Sequence, residues 1–139
     1  MIIELDKHRD TLTEKIIGCA IEVHRHFGPG LLERIYEECL AGELRDSGLA
    51  VETQKPMPVC YKGKHFENAY RVDLIVEQRI VIEVKAVDRL LPLHEAQLLS
   101  YMKLGQIDRG LLLNFHAPRL VDGIKRMTLE KLPRLEDNT

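Results

Sequence analysis

Asp73, Glu83 and Lys85 are the residues whose types and spacing invite chemistry. They lie within RVDLIVEQRIVIEVKA, residues 71–86, where alternating apolar positions read as a buried β-hairpin. Val72, Leu74, Val76, Ile80, Ile82 and Val84 make one continuous apolar face. With Glu77, Gln78 and Arg79 as the turn, Val76 pairs with Ile80 and Asp73 stands opposite Glu83, their Cβ atoms about 5 Å apart. Opposed carboxylates cost stability unless something positive lies between them. A divalent cation would satisfy both, with the Lys85 ammonium one pleat further along the same face. The other reading of these charges is a hairpin face that simply meets water.

Elements on both sides must hold that hairpin. Thr11 and Glu14 read as a capping box ahead of Leu12, Ile16, Cys19, Ala20, Val23 and Phe27, and Gly28-Pro29 stops this first helix. A second helix carries Leu32, Ile35, Tyr36, Cys39 and Leu40 on one stripe and ends at Gly48. The stretch from Val51 has β-formers and two prolines, Pro56 and Pro58, which suit an edge strand; Lys62-Gly63 turns it into a longer strand ending near Val76. After RIVIEVKA, Pro92 opens a third helix, RGLLLNF reads as a central strand parallel to residues 79–86, and VDGIKRMTL as a last strand. The expected fold is α/β: a mixed five-stranded sheet flanked by helices, with residues 1–139 forming one domain and 134–139 a solvated tail.

Composition narrows the function classes. The chain is 45% apolar and 30% charged, as expected of a soluble globular protein, and no apolar run approaches the roughly 18 residues of a membrane span. MIIELDKHRD turns charged too early for a secretory signal, which points to the cytoplasm. Cys19, Cys39 and Cys60 are widely spaced and read as reduced thiols, and His24 and His26 diverge on a helix, which argues against zinc. A formal charge of −2 means that any nucleic-acid partner would need locally placed cations.

Asp73 followed by Glu83-Val84-Lys85 on adjacent strands resembles the D…E-x-K signature of the PD-(D/E)XK nuclease superfamily. Gln97 and Tyr101, in QLLSY, resemble the Q-x-x-x-Y helix motif of its lambda-exonuclease-like branch, and Gly30, Glu33 and Tyr36, in GLLERIY, match the GxxExxY protein family of the same superfamily. The likeness runs from about Ile17 to Arg126 and takes in VHRHFGPGLLE, VCYKG, VIEVKAV, HEAQLLSY, LLLNF and GIKR. It departs at His116, where the family often has Gly, which touches only the local loop.

The resemblance implies a restriction-endonuclease-like core and a nuclease that hydrolyses phosphodiester bonds in nucleic acid, DNA foremost. It implies that Glu33, Asp73, Glu83 and the Val84 carbonyl ligate Mg²⁺, with Mn²⁺ as a substitute, as suits hard oxygen ligands. Lys85 would stabilise charge on the phosphate, and Gln97 and Tyr101, four apart on one helical face, would orient Lys85 or a phosphate. Ordinary amphipathic packing is the other reading of the Gln97–Tyr101 pair, and a structural ion pair that of Glu33. His24 reads as a packing or capping residue. The rival functions are a catalytically silent nucleic-acid- or protein-binding module of the same fold and a subunit of a larger assembly; a homodimer or a partner protein fits either.

Overall fold

The computed structural model describes residues 3–4 and 10–132; the tail expected at 134–139 lies outside them. In chain order the elements are β1 (Ile3–Glu4), α1 (Thr11–Phe27), α2 (Glu33–Asp46), β2 (Val51–Tyr61), β3 (Lys64–Val76), β4 (Ile80–Lys85), α3 (Pro92–Gly105), β5 (Arg109–Asn114) and β6 (Ile124–Leu129). The strands form one sheet in the order β1-β6-β5-β4-β3-β2. All five expected strands are present, and β4 and β5 run parallel as the intervening helix requires. The short β1 adds a sixth strand by pairing antiparallel with β6. β2, with its two prolines, lies at the opposite edge.

Helices cover both faces. On one, α1 and α2 pack Ile16, Ala20, Tyr36 and Leu40 against Leu74, Ile80, Ile82, Leu111 and Leu113. On the other, α3 lays Leu98 and Met102 over Ile75, Val81, Leu112 and Met127. β4 and β5 are buried on both sides, which explains their nearly unbroken apolar sequence. Gly110 makes room for α3, since a Cβ there would stand 2.7 Å from the Met102 sulfur.

Two local expectations are corrected. Asp10 rather than Thr11 caps α1, its carboxylate accepting from the Thr13 N–H, because the chain is still extended at Asp10. Val72 does not share the apolar face of Leu74 and Val76 but packs with Met57 and Ile75 on the α3 side. Strand alternation slips at Asp73, where Gln54 on the neighbouring β2 takes a left-handed φ of 49° between the pairs Thr53↔Leu74 and Lys55↔Val72.

The link between α1 and α2 is tied by Tyr36. Its hydroxyl donates to the Gly28 carbonyl and accepts from the Leu31 N–H, and its ring stacks on Phe115 with centroids 4.6 Å apart. Leu32 supplies no side-chain cap to α2, so this tyrosine fixes where the helix begins. Through that start it aims Glu33 at the sheet. His24, buried, bonds the Ala117 carbonyl at 2.8 Å and joins α1 to the loop after β5, a structural task.

Candidate active site

The β3–β4 hairpin has the register expected from its turn: Val76↔Ile80, Ile75↔Val81 and Leu74↔Ile82. Pairing stops there. β4 continues along β5 to Lys85↔Asn114, while the outer part of β3 remains paired only with β2. Asp73 and Glu83 stand at this fork, the next position on each strand. Their carboxylates take over where the backbone ladder ends: the Asp73 N–H donates to Glu83 Oε2 at 2.9 Å, and the Val84 N–H donates to Asp73 Oδ2 at 2.8 Å. The two acids are thereby crossed between the strands and held by backbone donors. Lys85 Nζ lies 4.0 Å from Glu83 Oε1, its side chain largely buried.

α2 contributes two acids from one face. Glu33 accepts from the Ala86 N–H at 3.0 Å, so it reaches the end of β4 beside Lys85, as its motif position led us to expect. Glu37, one turn later and buried, was not among the expected site residues. Gln54 Nε2 donates to both Glu37 oxygens at 2.9 Å and to Asp73 Oδ1 at 3.3 Å, joining α2 to the fork. The four-residue spacing from Glu33 was a signal for Glu37. Nothing in the sequence marks Gln54, whose reach depends on its left-handed backbone.

Such crowding moves protons. Burial pushes Glu83 up to about 8, with the Asp73 charge adding to the shift and its backbone hydrogen bond and Lys85 opposing it. Burial also pushes Glu37 up to about 7, helped by the Asp73 charge and opposed by the Gln54 amide. Asp73 is raised by burial, against the Val84 N–H that favours its charged form. A group of acids in this state holds protons or a cation near neutral pH.

On α3, Tyr101 is raised by burial and then by the charges of Glu83 and Asp73, which places it within the field of the acids. Its ring meets Tyr70 of β3 at 5.8 Å between centroids. Gln97 lies one turn away and lines a groove with Tyr70, Ser100 and Tyr101. Among the described residues Gln97 makes no hydrogen bond to Lys85, one of the two partners expected for it. Behind the site, buried Asn114 holds the chain leaving β4: its Oδ1 accepts from the Val87 N–H at 3.1 Å and its Nδ2 donates to the Val87 carbonyl at 2.9 Å.

A family model described as the PD-(D/E)XK nuclease superfamily matches residues 10–127. The chain belongs to the PD-(D/E)XK nuclease superfamily. No curated protein and no solved structure gives a significant match. The α/β sheet with helices on both faces is consistent with the restriction-endonuclease-like fold of PD-(D/E)XK proteins, and nucleases of this superfamily generally use divalent metals. The chemistry of Asp73, Glu83 and the α2 acids suits such an ion: hard oxygen donors, among which burial raises Glu83 and Glu37 and so disfavours their bare charge. Among the described residues no three His, Cys, Asp or Glu side chains already stand in a ligand cage. Asp73 and Glu83 each have one oxygen on a backbone amide, while Asp73 Oδ1 meets Gln54 and Glu83 Oε1 lies 4.0 Å from Lys85 Nζ. No helix among the described residues is long and apolar enough to cross a membrane.

Proposed function

We propose that this protein is a divalent-metal-dependent nuclease that hydrolyses phosphodiester bonds in DNA. The observation that carries the reading is the crossed Asp73–Glu83 pair at the β3–β4 fork, with Lys85 beside it on the next pleat. Asp73, Glu83, the Val84 carbonyl and Glu33 would hold Mg²⁺, or Mn²⁺ in its place. When bound, such an ion supplies Lewis acidity and a more acidic water. Lys85 stabilises the negative charge that grows on the phosphate as the water oxygen–phosphorus bond forms and the ester bond breaks. Gln97 and Tyr101 position the strand in the groove rather than Lys85 itself. The spacing of Gly30, Glu33 and Tyr36 supports placing the protein with the GxxExxY family, where Tyr36 sets the start of α2 and Glu33 reaches the site.

Purified protein with Mg²⁺ or Mn²⁺ is expected to cut DNA. Lys85→Ala is expected to reduce cutting by at least about 100-fold, as for loss of a charge-stabilising donor, with an unchanged circular dichroism spectrum. Equal activity in the variant would remove Lys85 from the reaction.

The hold that backbone amides keep on Asp73 and Glu83 also supports a second reading, a nuclease-fold binding module without turnover. Thermal unfolding in a Mg²⁺ titration separates the two. A working site gives stabilisation that rises with ion concentration and vanishes in Asp73→Ala, whereas a silent module shows no ion effect.

A further inference from the structure

Beyond Asp73 the β2–β3 hairpin leaves the sheet as an arm. β4 pairs with β3 only from Leu74 to Val76, while β2 and β3 stay together out to Tyr61↔Lys64. Every residue from Tyr61 to Tyr70 is exposed. Three of them are aromatic: Tyr61, Phe66 and Tyr70 are 60%, 50% and 50% exposed, which is costly for rings that do nothing but face water. Ladder and groove together give them a common side. Val59 opposes Phe66 and Tyr61, two residues on, opposes Lys64, so Val59, Tyr61 and Phe66 share a face; the register shifts between Met57 and Val59, and Tyr70 is tied to that face by the groove it lines with Val59. Val59 and Tyr70 then line one groove with Gln97 and Tyr101 of α3, a cavity of about 500 Å³. The Tyr70–Tyr101 contact carries this side of the arm to the acids at the fork.

The arm's charge has the sign that the rest of the chain lacks. Between Tyr61 and Arg71 lie Lys62, Lys64 and Arg71 against the single acid Glu67, in a chain of net charge −2. Lys62 Nζ sits 5.3 Å from the centre of the Tyr61 ring, placing cation and aromatic surface together. Edge pairing with a second copy is disfavoured, because Pro56 and Pro58 remove two donors from β2. Exposed rings among cations match a strand whose bases are free to stack, and a duplex keeps those base faces hidden.

We propose that the arm binds single-stranded nucleic acid, its bases stacking on Tyr61, Phe66 and Tyr70 and its phosphates meeting Lys62, Lys64 and Arg71, and leads the strand along the groove to the fork. The last step rests on the nuclease reading; the binding itself does not.

The test is fluorescence anisotropy of the full chain in EDTA, where no cutting intervenes. The probes are labelled oligothymidylate and oligouridylate of about 20 nucleotides, enough to cover the site sizes of such surfaces, and a blunt duplex of the same length. Both or either single strand should bind at least about tenfold more tightly than the duplex, and Tyr61→Ala with Phe66→Ala should lose about tenfold or more in single-strand affinity. Preference between the two single strands identifies DNA or RNA as the source. Lys62→Gln with Lys64→Gln should flatten the dependence of affinity on salt. Because these side chains are exposed, melting temperatures should not move. Equal affinity for single strand and duplex overturns the proposal, as does undiminished binding after loss of the rings. If ring removal instead lowers the mass measured by sedimentation and leaves binding unchanged, the arm is a self-association face and the proposal fails. A protein that binds single strands through the arm but never cuts refutes the nuclease reading alone.

Discussion

Glu83 and Glu37 bind protons more tightly in the folded protein than in an unfolded chain, where both would titrate near 4.5. Between that value and the folded values of about 8 and about 7, the native state holds more protons than the unfolded one. Stability without metal must therefore fall as pH rises through this window, because deprotonation leaves buried charges beside Asp73. Melting temperatures in EDTA should decline from about pH 5 to about pH 9, and Glu83→Gln should flatten much of the slope. Added Mn²⁺ should raise the melting temperature most at the alkaline end, where it competes with the fewest protons. A slope that is absent in wild type, or unchanged in the variant, would mean that Glu83 is not crowded as described.

The fork is made by strand ends, and their order depends on what ties the chain beyond Lys85. The Phe115 N–H donates to the Lys85 carbonyl at 2.8 Å, and Asn114 engages both backbone groups of Val87. Gly123 packs so closely behind that a Cβ there would lie 2.6 Å from the Asn114 carbonyl oxygen. Asn114→Ala leaves the Val87 N–H and carbonyl without these partners and should cost about 2–4 kcal/mol in urea unfolding. Amide exchange at Val87 should accelerate, and cutting should weaken through loss of position rather than of a reacting group. An unchanged unfolding midpoint would show that the loop is held by other contacts.

Across the whole molecule, β4 and β5 send alternate side chains into two cores, so each core rests on the same strands. Leu112 belongs to the α3 side, and Leu111 and Leu113 to the α1–α2 side. We expect one cooperative unfolding transition, with calorimetric and van't Hoff enthalpies in agreement. Leu112→Ala should cost about 2–5 kcal/mol and lower that single transition rather than split it. Two transitions would indicate that α3 and its contacts unfold separately.

Strand alternation, turn length and helix punctuation settled much of this protein within its sequence: three helices, five strands and the register of the β3–β4 turn, which brings Asp73 and Glu83 to the position just past its last pair rather than into the ladder. These features depend on periodicity and on a short turn, both local. The motif positions also put Glu33 and Tyr101 on the elements that approach the acids. Tertiary structure decided the rest. Val72 changed faces and Gln54 reached two carboxylates because one non-glycine residue adopts a left-handed backbone, a state stabilised by neighbours rather than by its own type. Glu37 became part of the site only when α2 docked over the fork and removed water from it. Whether a carboxylate carries a proton depends on that removal and on the charges brought close by folding, and neither can be read from one strand or helix alone.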